Sequence, residues 1–85
     1  MRLYCVKLTH YRTGETFYKI GLTADTVERR FDQELERFSM EIVHEHTFPL
    51  YEAVTKETEL LYKFHCQGRS YVPKAKISGY SECFR

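Results

Sequence analysis

Tryptophan is absent, and the 85 residues include only four glycines, two prolines and three cysteines. So little glycine and proline excludes collagen-like and low-complexity chains. The cysteines, at positions 5, 66 and 83, are odd in number and form no CxxC pair. They indicate no disulfide framework, and the expectation is reduced thiols in a cytoplasmic setting. No apolar run approaches the ~20 residues of a membrane span, and no signal-peptide pattern opens the chain. A dominant charge sign is missing too. The formal net charge is +1, so contact with nucleic acid would need a local patch rather than an overall basic field. What is present is a folding composition: 42% hydrophobic, with aromatics supplied by Tyr and Phe. That argues against disorder, and the length suits one domain, residues 1–85, with a modest core.

Residues 17–31, FYKIGLTADTVERRF, are the stretch around which the rest is organised. The first half alternates as a strand does, with Phe17, Lys19 and Gly21 on one face and Tyr18 and Ile20 on the other. Asp25 stands three residues before Glu28, a capping-box spacing that satisfies free N–H groups at a helix start. Val27, Phe31, Leu35 and Phe38 follow at helical intervals as one apolar stripe, so a helix ending near residues 38–39 is expected. Upstream, RLYCVKLT (residues 2–9) reads as a strand with Leu3, Cys5 and Lys7 opposite Tyr4, Val6 and Leu8. The Thr13-Gly14 turn folds it back as a β-hairpin. MEIVHEHTF (residues 40–48) alternates as a third strand, closed by Pro49, which offers no ladder donor.

Residues 51–66 read as a second helix. At about 100° per residue, Ala53, Leu60, Leu61 and Phe64 gather into one arc, and Glu57 falls in its middle. An ionised carboxylate on a core-facing stripe is costly unless it is paired, hydrogen-bonded or bound to a cation. A structural ion pair and a cation site are both open at this point. The remainder is turn-rich and basic, with a short edge strand expected around residues 74–77 and a packed end at residues 80–84.

Taken together, a hairpin, a helix with arginines, a strand and a helix with an inward glutamate resemble the GIY-YIG nuclease superfamily, in particular its small phage and bacterial branch with a KIG second motif. Leu3-Tyr4-Cys5 stands for the first motif and Tyr18-Lys19-Ile20-Gly21-Leu22-Thr23 for the second. An arginine on the next helix, Glu57, and the ending Gly79-Tyr80-Ser81-Glu82-Cys83-Phe84 complete the likeness. Three positions depart from it: Lys19 stands where the second tyrosine is usual, Glu34 stands one turn beyond the arginine where some of these nucleases keep His or Tyr, and Glu82 replaces a late asparagine. The resemblance implies metal-dependent phosphodiester cleavage of DNA. Glu57 would hold Mg²⁺ or Mn²⁺ through oxygen ligation. Tyr4 would activate the attacking water, which needs neighbouring cations, because a phenol otherwise loses its proton near about pH 10. An arginine would stabilise charge growing on the phosphate. On the helix wheel Arg30 borders the apolar stripe and Arg29 points away from it, which selects Arg30. The small size implies that targeting comes from a protein partner or from DNA structure.

Other side chains invite weaker readings. His44 and His46 share a strand face, but two ligands fall short of a zinc site. His65-Cys66 with Cys5 or Cys83 matches no metal spacing. Lys7, Arg12, Arg69, Lys74 and Lys76 could touch phosphates. The fold expected is therefore α/β: a small, central, mostly antiparallel three-stranded sheet flanked by two main helices, with Tyr4, Lys19, Arg30 and Glu57 as the catalytic set. The alternative function is a catalytically inactive protein of this fold that binds DNA or a protein. A third is a purely structural domain in which Glu57 is an ion-pair partner.

Overall fold

The computed structural model describes residues 1–74 and 82–85. Strands β1 (Arg2–His10) and β2 (Thr16–Thr23) form the hairpin. Gly14 at its tip has φ +73°, a left-handed conformation that glycine adopts without steric cost. A one-turn helix α1 (Val27–Arg30) and a 3₁₀ turn (Glu34–Glu36) lead into β3 (Phe38–Thr47), which is followed by the long helix α2 (Leu50–Cys66) and a two-residue β4 (Cys83–Phe84). The sheet is antiparallel, in the order β3-β1-β2-β4.

Both sheet faces are covered, which is why apolar residues occur at both parities of β1 and β2. Tyr4, Val6, Leu8 and Phe17 pack against Val27, Phe31 and Phe38 on one face. On the other, Leu3 and Ile20 meet Phe84, with Leu60, Leu61 and Phe64 of α2 packed against them. Burying two faces gives an 85-residue chain more core than a one-sided sheet would.

Several expectations need correction. The sheet has four strands, because Cys83–Phe84 adds to the β2 edge, and one main helix rather than two. The helix expected to run to residue 38 is one α turn that tightens and gives way to a 3₁₀ turn. Its cap is the Thr26 hydroxyl, which accepts from Arg29 N at 3.3 Å, rather than Asp25. Asp25 instead accepts from Thr26 N and pairs with Arg29. Phe31 N is shared between the carbonyls of Val27 (3.2 Å) and Glu28 (3.3 Å), the mark of a helix passing into tighter turns. The apolar spacing survives the break: Val27, Phe31 and Phe38 are fully buried and Leu35 partly so. Phe38, however, opens β3, opposite His10, two residues earlier than the third strand was expected. Lys74, at the start of the expected edge strand, is an exposed bend, and the rest of that segment lies outside the described residues.

Candidate active site

The hairpin register sets the site. Tyr4 of β1 lies opposite Gly21 of β2, and strand alternation puts Lys19 on the same face. The Tyr4 ring crosses over Gly21: a Cβ built there would come within 2.6 Å of Tyr4 Cζ. Glycine is therefore a space requirement at this position, not a backbone one. Tyr4 is 1% exposed, and its ring meets Phe31 edge-on at 5.3 Å. Lys19 is 0% exposed, with Nζ 5.8 Å from the Tyr4 ring centre and 5.7 Å from that of Phe31. A buried ammonium needs a counter-ion. It finds Glu82, whose Oε2 accepts from Nζ at 3.1 Å.

The electrostatics tie Tyr4 and Lys19 to three further charged groups. Burial pushes the Tyr4 phenol above its ordinary value, opposed by the charges of Lys19 and Arg30 and by hydrogen bonding to Lys19. Glu57 is raised as well, first by burial and then by the Glu82 carboxylate, while Lys19 pulls it down. Arg30 extends from α1 with its guanidinium 5.4 Å from the Phe31 ring centre. Arg29 is turned outward, 76% exposed and 3.4 Å from Asp25. Tyr4, Lys19, Arg30, Glu57 and Glu82 thus form one electrostatic neighbourhood with two cations and two carboxylates. It is not tuned for phenolate: burial outweighs both cations, and Tyr4 remains a protonated phenol at neutral pH.

Other candidates are placed elsewhere. Lys7 is half-buried and shares a face with Tyr18 and Glu41. Arg12 lines a cavity at the hairpin turn with His10 and Arg37. A wider cavity of about 810 Å³ nearby is lined by His10, Glu15, Tyr71, Lys74 and Arg85. Arg69 is engaged with the Phe64 and Phe84 rings and donates from Nε to the Arg85 carbonyl at 2.7 Å. These cations are spread over several surfaces, and Lys76 lies outside the described residues. His44 and His46 stack at 6.5 Å on the exposed outer strand. Cys5 and Cys83 pack in clusters on opposite sheet faces. Among the described residues, no group of three or more His, Cys, Asp or Glu gathers as a metal cage.

Sequence reasoning named Gly21 and Glu82 in the motifs but gave neither a part in the site. Gly21 was readable, since the hairpin register places it across from Tyr4. Glu82 was not: it is 63 residues from Lys19 in the chain and meets it through β4. Comparison with protein-family models, curated proteins and solved structures found no match to this chain.

Proposed function

We propose that this chain is a divalent-metal-dependent DNA endonuclease of the GIY-YIG type, acting through Tyr4, Lys19, Arg30 and Glu57. The observation that carries the reading is that the fully buried Lys19 ammonium lies 5.8 Å from the Tyr4 ring centre and also acts electrostatically on Glu57 of the long helix. The donor chemistry fits Mg²⁺ or Mn²⁺. Glu57 and Glu82 are hard oxygen donors close enough to repel each other, and Mg²⁺ takes one or two carboxylates and completes its shell with water and substrate phosphate. Glu57 would hold the ion, since Glu82 is engaged by Lys19. When bound, the cation supplies Lewis-acid polarisation of a phosphoryl oxygen.

The chain's own residues do the rest. The guanidinium of Arg30 offers a planar donor fork to a phosphate. Lys19 contributes a fixed positive charge in a site shielded from water, where charge stabilisation is strongest. Tyr4 accepts a proton from water only as phenolate, so cleavage rises with pH through the alkaline range.

A second reading, a binding protein that keeps the fold without cleavage, is favoured by one observation: the resting site holds a protonated Tyr4 and a Lys19 already paired with Glu82. Supercoiled plasmid with Mg²⁺ or Mn²⁺ separates the two. Nicking by the unsubstituted protein that disappears in Glu57→Ala supports the enzyme, and equal nicking by both refutes it. Binding without nicking, steeply salt-dependent and weakened by Arg30→Ala, supports the second reading.

A further inference from the structure

Lys19 has two carboxylates within electrostatic reach and is ion-paired to one. Its Nζ lies 3.1 Å from Glu82 Oε2, and among the described residues no ion pair joins it to Glu57. The choice is built into the C-terminal strand. Cys83 is the cross-strand partner of Lys19, and Glu82, the residue before it, brings its carboxylate to the lysine ammonium.

That strand is firmly seated. Phe84 stacks on Phe64 at 4.2 Å and on Tyr18 at 5.5 Å. Tyr71 N donates to the Cys83 carbonyl at 3.1 Å, and Arg85 N to the Arg69 carbonyl at 2.9 Å. The Glu82 side chain is 34% exposed, whereas the Lys19 side chain it serves is fully buried.

We propose that Glu82 is a positioning residue that acts through Lys19: it anchors the buried ammonium beneath the Tyr4 ring and holds it away from Glu57, leaving the Glu57 carboxylate open to a cation. Its catalytic consequence rests on the nuclease reading above; the anchoring itself does not. An unanchored ammonium in the same cavity would turn to Glu57, the other acid it senses, and close the metal position with an internal ion pair.

The test reads the anchor and the activity separately. In the unsubstituted protein, lysine-ammonium NMR is expected to show one slowly exchanging signal from Lys19, with a coupling across the hydrogen bond from Nζ to the Glu82 carboxyl carbon. A coupling to Glu57 instead, or no protected ammonium, overturns the proposal, and this measurement needs no variant to fold. In Glu82→Gln the coupling is expected to move to the Glu57 carboxyl carbon, with circular dichroism unchanged, and in Glu82→Asp to remain at residue 82. A Lys19 ammonium in Glu82→Gln that shows no coupling to Glu57 overturns the proposal. With nicking as the readout, Glu82→Gln is expected to lower kcat about 10–100-fold, the range seen when supports of a metal site are removed. KM for plasmid should change little, and Glu82→Asp should recover most of the rate. If the unsubstituted protein does not nick while the ammonium results hold, the nuclease reading fails and the anchor stands.

Discussion

Gly21→Ala isolates the close approach on which the site's geometry depends. Gly21 lies in regular strand, and its φ is not positive, so alanine meets no backbone penalty there. What it meets is Tyr4, at 2.6 Å from Cζ and 3.2 Å from Cε2. Real Cβ contacts are not this short, so either the ring or β2 must move. The ring has nowhere cheap to go: it is buried, set edge-on against Phe31, and held from below by Lys19. Overpacking of this kind costs about 1–3 kcal/mol, against a gain of about 0.4–1 kcal/mol from a stiffer unfolded chain. The expected result is a net loss of about 1–2 kcal/mol, and a melting temperature lower by roughly 5–15 °C for a domain this small. Urea unfolding gives the free energy at unchanged slope. Because the phenol oxygen is the atom nearest the new methyl, Tyr4→Phe should be less sensitive to Gly21→Ala than the parent, a coupling that a double-mutant cycle reads directly. A Gly21→Ala protein as stable as its parent, or a cycle with no coupling, would refute the placement of Tyr4.

Other expected outcomes follow from the same geometry. Glu57 is raised above its unfolded value, so its contribution favours the fold at acid pH and is lost as pH climbs through the folded value. Glu57→Gln should therefore raise the urea midpoint at pH 8 and leave it unchanged below about pH 4; a midpoint lowered at pH 8 would mean the acid is a paired structural group. Phe84→Ala removes the stacks with Phe64 and Tyr18 and should cost about 3–5 kcal/mol in urea unfolding, a typical loss for a buried phenylalanine. The Cys83 thiol, pushed up to about 11 by burial, should resist a thiol reagent at pH 8 while the exposed Cys66 reacts fast, which mass spectrometry of the labelled protein can count.

The hairpin was legible because its signals are local: period-two alternation, a Thr-Gly turn, and a register that follows from them. Both faces of β1 and β2 were read correctly, as was the buried arc of α2. The short helix was misjudged for a physical reason. Spacing of three and four residues describes which side chains face the core, and a chain alternating between α and 3₁₀ turns keeps that facing without a continuous helix. Val27, Phe31 and Leu35 satisfy the pattern in both geometries. The choice of Arg30 over Arg29 survives as placement because it relied on facing alone. β4 was missed because two residues carry no periodicity, and their pairing to Tyr18 and Lys19 is entirely long-range. With β4 went the partner of Lys19, and so the balance of charge around Tyr4. A count of neighbouring cations favours phenolate; the burial that overrides them is visible only in three dimensions.

The proposed role of Glu57 is to hold the metal in a site shared with Tyr4 and Lys19. Mn²⁺ titration followed by amide NMR tests it most directly, since the ion broadens signals within reach of its binding position. Broadening is expected to centre on Glu57, to extend to Tyr4, Lys19 and Glu82, and to be abolished in Glu57→Gln. Broadening centred instead on His44 and His46, or left intact in Glu57→Gln, would contradict it.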